Sequence, residues 1–338
     1  MDEDKKMIKD DINFLEYPNW IIDRKSKATT FSMAKPNGKY EILSPLGLPK
    51  HFDKTVLYYL LYKLHREKKL NSYTLKTSRF EIAKNVFSGK KDFGKSRFNR
   101  IMVALKKWNA LSINFDGLFY SNSEHSIRYF HIVDSVTLIK ETGELTVKFN
   151  ETYVKQLEET TFYKLIDFEQ YKKLSRTLSA RLYEILVKSF KERKEWAINI
   201  QLLAEKLTFE KKEGAQSHYP SYVLRFLKPS INEINKKTDL AIEFAYNNDT
   251  GVCIFKKVEK RKEEFTPAKS LSPKQIKTNY AKQTAACLSY FETLPVEEQK
   301  VILEDIERQP FLKYLPDPTA RIFAYMKNSK QWLPEETD

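Results

Sequence analysis

The stretch that most restricts how this chain can fold runs from Tyr219 to Val258. Ser221–Lys237 reads as one amphipathic helix, because Val223, Phe226, Leu227, Ile231 and Ile234 recur at helical spacing and form an apolar stripe. Ser221, Arg225, Lys228, Asn232 and Asn235 fall three or four residues apart on the other side, with no acid among them. Two alternating segments follow, Leu240–Tyr246 and Val252–Val258, joined by the turn-forming run Asn-Asn-Asp-Thr-Gly at 247–251. A helix that docks by one stripe beside a basic-tipped hairpin is the reading end of a winged helix. Arginine and asparagine are the side chains whose paired hydrogen-bonding groups match guanine and adenine edges in a major groove. Arg225 and Asn232 are therefore expected to read bases. Lys236 and Lys237 at the helix end, and Lys256 and Lys257 on the hairpin, are expected to meet phosphates. The competing reading is a solvated basic face on a surface helix.

The preceding sequence favours the first reading. Leu178–Phe190 reads as an amphipathic helix, Trp196–Ile200 as a short strand and Ile200–Leu207 as a second helix. Helix, strand, helix, helix, hairpin is the winged-helix order. A weaker version lies upstream. Asp53–Glu67 is a long helix faced by Val56, Leu57, Leu60, Leu61 and Leu64, with Asp53 as its expected cap. Thr77–Phe87 resembles Gln201–Phe209 in pattern. Ser96–Trp108 is a basic amphipathic helix, and Leu111–Phe115 alternates as Leu240–Phe244 does. Ile127–Lys140 and Glu144–Phe149 are expected to pair as a larger wing. The expected architecture is α+β: an extension over 1–45, tandem winged helices over 46–160 and 161–262, and a linker with a helical tail over 263–338. On the third helix of the first domain, Arg97, Arg100, Lys106 and Lys107 are candidate DNA contacts, with Val103 exposed among them. Residues 1 to about 17 are charged and read as a frayed end. Pro229 should bend the reading helix, since it cannot bond the carbonyl of Arg225.

Charge points the same way. The chain carries a net +14, yet from Phe265 onward ten Lys and Arg stand against ten Asp and Glu. The whole excess therefore lies in residues 1–264, which favours a polyanionic partner for that part. The neutral remainder reads as helices at Lys274–Phe291, Val296–Arg308 and Thr319–Lys327, separated by prolines. The two cysteines, Cys253 and Cys287, cannot build a tetrahedral metal site, and the five histidines include no pair at ligand spacing. No apolar run approaches a membrane span and no secretory leader is recognisable, so a cytoplasmic protein without cofactor is expected.

One motif argues for different chemistry. Gly89-Lys-Lys-Asp-Phe-Gly-Lys-Ser96 matches G-x-x-x-x-G-K-[ST], the loop that cradles phosphates in nucleotide hydrolases. That loop needs a buried parallel strand before it and a strand-borne acid for magnesium. The segment before it, Glu81–Val86, carries charges and reads as helix, and no such acid is evident. A linker between two helices is the better reading, with Gly94 or Ser96 near the cap of the next helix.

Several short motifs occur in order: Leu174-Ser175, Arg181-Leu-Tyr-Glu-Ile-Leu186, Leu227-Lys-Pro229, Glu233-Ile-Asn235 and Thr238-Asp-Leu240. Over about 165–258 the chain resembles the C-terminal winged helix of theta-type plasmid replication initiators. More loosely, 46–139 resembles their N-terminal one. The resemblance implies binding to repeated origin DNA (iterons), a monomer–dimer equilibrium, recruitment of host replication proteins and no catalysis. The segment Glu210–Ser217 is longer than the usual connection, and the tail after Phe265 has no counterpart. A tandem winged-helix transcription regulator is the alternative, and a nucleotide hydrolase the weaker third.

Overall fold

A computed structural model of the chain describes residues 6–67, 73–87, 94–121, 124–190, 193–209, 219–260, 284–308 and 317–328. They fall into two compact units, one ending at Lys260 and one beginning at Arg261.

In the latter part of the first unit, α7 (Thr177–Ser189), β10 (Glu195–Asn199), α8 (Ile200–Lys206), α9 (Tyr219–Lys237), β11 (Ala241–Asn247) and β12 (Val252–Val258) follow one another. The three strands form an antiparallel sheet in the order β10-β12-β11. Aromatic pairs fix the register: Phe255 on the middle strand packs 5.4 Å from Trp196 and 5.0 Å from Phe244, its direct cross-strand partners.

The same order occurs earlier, with an insertion. Here α2 (His51–Arg66), β4 (Thr74–Ser78), α3 (Arg79–Val86) and α4 (Lys95–Ala110) precede the hairpin of β7 (Val133–Leu138) and β8 (Glu144–Phe149), and the sheet order is β4-β8-β7. Between α4 and β7 lies a second hairpin, β5 (Ser112–Ser121) and β6 (Glu124–His131). It joins β2 (Thr30–Lys35) and β3 (Gly38–Leu43) in a separate sheet, β2-β3-β5-β6.

Two expectations are corrected here. Leu111–Phe115 does not pair with the wing, and Ile127–Lys140 is not one strand but parts of two strands in different sheets. The cause is the inner face of β5 and β6. Phe115, Phe119 and Phe130 surround Phe14 at centroid distances of 6.0, 6.4 and 5.4 Å, and this aromatic core holds the hairpin away from the wing. The glycines permit the close fit: a Cβ on Gly38 would lie 1.9 Å from the carbonyl oxygen of Asp116, and one on Gly117 would lie 2.6 Å from that of Asn37.

Asp53 is not the cap residue of α2. It lies three positions inside, where its carboxylate accepts the N–H of Lys50 at 2.9 Å. The expected frayed start is likewise corrected from residue 6 onward. β1 (Met7–Asp11) pairs antiparallel with β9 (Tyr163–Asp167), which buries Ile8, and α1 (Ile12–Glu16) inserts Phe14 into the aromatic core. α5 (Glu151–Glu159) precedes β9, and α6 (Phe168–Lys173) leads into α7.

A buried polar network ties these parts together. Arg181 on α7 pairs with Glu184 at 2.9 Å and donates to the carbonyls of Lys206 and Glu16. Glu184 accepts from Trp20 Nε1, and Tyr58 Oη lies 2.9 Å from Asp10 and 3.2 Å from Glu184 with one proton to donate to either; Asp10 lies 3.4 Å from Lys54. The Arg-Leu-Tyr-Glu motif is thus a joint between the N-terminal segment, α2 and α7. Charges this deep must be paired to be tolerated.

In the second unit, residues 284–293 (α10), α11 (Val296–Arg308) and α12 (Pro318–Asn328) bury Cys287, Phe291, Ile302, Ile306, Phe323 and Met326 together. The expected start of α10 at Lys274 lies outside the described residues.

Candidate nucleic-acid interface

The candidate interface is built on α9. Val223, Leu227, Ile231 and Ile234 are buried against the rest of the unit, which turns Ser221, Arg225, Lys228, Asn232 and Lys236 outward as one exposed stripe. The guanidinium of Arg225 lies 5.6 Å from the ring of Phe226.

Phe226 departs from the expected buried stripe: it is 38% exposed and packs with Tyr222 and Phe209 in an aromatic cluster at the surface. These three rings were missed as a group because Phe209 precedes the helix and is separated from Tyr222 by an intervening connection in the sequence. Only their ring contacts in the fold join them.

Other members of the expected set are committed elsewhere. Asn235 donates to the carbonyl of Ile242 at 2.8 Å and accepts the N–H of Ile242 at 2.9 Å, so it is a strut between α9 and β11 and not a free reader. Lys237 bonds the carbonyl of Lys173 at 2.9 Å and Glu233 at 2.6 Å. Glu233 accepts from the N–H and hydroxyl of Ser175 and from the N–H of Arg176, closing the start of α7. The Glu-Ile-Asn motif therefore orients α9; it does not itself offer groups to a ligand.

The hairpin also differs from expectation. Its tip, 247–251, carries Asp249 and no cation, and Asn247 there accepts the N–H groups of Asp249 and Thr250. Lys256 and Lys257 are exposed at the opposite end of β12, which is the middle strand. Lys256 stands between Glu195 and Glu243 on the flanking strands, which offset its charge. The hairpin is therefore not basic-tipped.

On α4, Lys106 and Val103 are exposed. Lys107 instead pairs with Asp53 at 3.2 Å and joins α4 to α2, where Trp108 also donates to the carbonyl of Asp53. Arg97 lies 5.0 Å from the ring of Phe87, and Arg100 lies 3.8 Å from that of Phe52. Of the phosphate-loop motif, residues 89–93 lie outside the described residues. What precedes it is the helix α3, and Gly94 stands at the N-cap of α4 with Lys95 exposed in its first turn. No strand runs into the loop among the described residues. No group of three metal-ligating side chains occurs among them either, and none of their helices is long and apolar enough to cross a membrane.

Residues 9–220 match the family described as replication initiator protein A. The match stops in the first turn of α9, so the exposed stripe is argued from geometry. No curated protein matches the chain. Among solved structures it is similar to domains 2 and 3 of RctB, at 13% identity over 73% of this chain and 98% of that one, with a TM-score of 0.49. It is also similar to the Pi initiator protein, solved in complex with iteron DNA, at 19% identity over 70% and 99%, with a TM-score of 0.45.

Proposed function

The chain belongs to the replication initiator protein A family, and from that premise we propose that it starts plasmid replication by binding repeated origin DNA through two winged helices. The observation that carries this reading is the acid-free exposed stripe of α9, with Arg225 and Asn232 as base readers and Lys228 and Lys236 as phosphate contacts. Two segments of the first unit with the same helix and strand order, carrying the sheets β4-β8-β7 and β10-β12-β11, support a tandem arrangement in which α4 is the counterpart of α9. Lys106 on α4 adds a phosphate contact, and the exposed Val103 beside it suits contact with another protein, including a second copy. Binding nucleates origin opening and helicase recruitment, and the initiator itself performs no catalysis.

The test is the salt dependence of duplex binding. Neutralising about 6–10 phosphates lowers affinity by roughly three to five decades between ~50 and ~200 mM salt. A slope near zero would remove duplex DNA as the ligand.

A further inference from the structure

Away from α9, a cleft of about 350 Å³ opens between the two halves of the first unit. Arg24 comes from the segment before β2, Lys50 from the residue before α2, Arg100 from α4, Lys172 from α6 and Thr177 from the start of α7. No carboxylate lines it among the described residues. Lys172 is neutralised by Glu169 at 2.8 Å. The other three cations are held by neutral groups instead. Lys50 bonds the carbonyls of Arg24 and Ser26 at 2.6 and 2.8 Å, Arg24 donates to the carbonyl of Ser175, and Arg100 lies on Phe52. Two acids lie close in sequence but outside the lining: Asp23, next to Arg24, accepts the N–H of Lys25, and Asp53 is occupied by Lys107 and by the N–H of Lys50.

We propose that this cleft is a phosphate-binding site, distinct from the stripe on α9. Three positioned cations in a lining that holds no carboxylate form a concave anion receptor, and arginine forks match phosphoryl oxygens in pairs. Burial is the main cause that lowers Arg100 and Lys50 from their ordinary values. For Arg100, attraction from Asp53 and then repulsion from Arg24 follow; for Lys50, repulsion from Lys107 comes next, opposed by attraction from Asp23 and Asp53. His51, which also lines the cleft, is pushed down to about 4 by burial and adds no charge at neutral pH. The volume is at the small end of ligand sites, which suits one or two phosphoryl groups. Because both halves of the unit supply the wall, an occupant would brace them. Two sources share this chemistry: a backbone phosphate of the bound duplex, and a free inorganic phosphate or pyrophosphate.

The site is tested by calorimetric titration of the full chain with sodium pyrophosphate, against sodium chloride at matched ionic strength. Arg100→Met, which keeps an apolar stem over Phe52, and Lys50→Gln are compared with Lys140→Ala, an exposed residue outside the cleft. One-site binding is expected for the parent and for Lys140→Ala, weakened at least about tenfold in the other two. Pyrophosphate should also raise the melting temperature of the parent, a readout that survives if a cleft variant folds poorly. Displacement of pyrophosphate by duplex assigns the site to a backbone phosphate, and simultaneous binding assigns it to a free ligand. Absence of saturable binding, or equal affinity in all four proteins, would overturn the proposal. Neither result depends on α9 reading DNA, so the two readings fail separately.

Discussion

Glu233 lies on the helix that carries the exposed stripe but faces α7. Burial works against its charge, yet hydrogen bonds from Lys237 and Ser175 prevail and hold its carboxyl at about 2. A carboxyl depressed by folding contributes stability that is present above its unfolded value, near 4.5, and lost as pH falls towards 2. Glu233→Gln should therefore cost about 2 kcal/mol at pH 7 and flatten the decline of stability between those values, as read by urea unfolding at several pH values. Parallel curves for the two proteins would refute the assignment. Asn235→Ala should likewise cost about 1–3 kcal/mol, because the N–H and carbonyl of Ile242 lose their partner, while base preference stays unchanged. Arg225, Lys228 and Asn232 were legible in the sequence because helical spacing alone fixes the side they face. Asn235 shares that spacing, and only the returning strand β11 claims it. That contact is non-local and leaves no trace in the periodicity.

At the scale of elements, most helices and strands were legible because each carries its own period. α9, β11 and β12 lie within about two residues of their expected bounds. Partnership was not legible. β5 alternates as β11 does, but it pairs with β3 and β6 because its phenylalanines fill a core shared with α1. Phe115→Ala should cost about 3–5 kcal/mol in thermal or chemical unfolding, as for a fully buried ring. A cost under about 1 kcal/mol would mean that the inserted hairpin is an appendage. The loop before α4 gives a second test at this scale. With helix α3 before it, the intact chain and Lys95→Ala should both lack saturable ATP binding. ATP binding that the substitution abolishes would reverse the reading of 77–108.

For the whole molecule, the sequence placed the basic excess before residue 265, and the fold places a unit boundary at Lys260. The second unit has a core of its own, around Phe291, Ile302 and Met326. A chain truncated after Glu264 should therefore fold and bind origin DNA but fail to support replication in cells. An unfolded truncation, or one that replicates normally, would contradict this. The joint at Arg181 and Glu184 could not be read from sequence, since its partners Asp10, Trp20 and Tyr58 are distant in the chain. The central claim is that the outward stripe of α9 reads bases in duplex DNA. Its most direct test is the affinity of the intact chain and of Arg225→Ala for an origin repeat and for a scrambled duplex at fixed salt. A loss of about 1–3 kcal/mol on the repeat is expected, with little change on the scrambled duplex and relaxed preference at one or two positions. Equal loss on both duplexes would make Arg225 a phosphate contact and contradict the account.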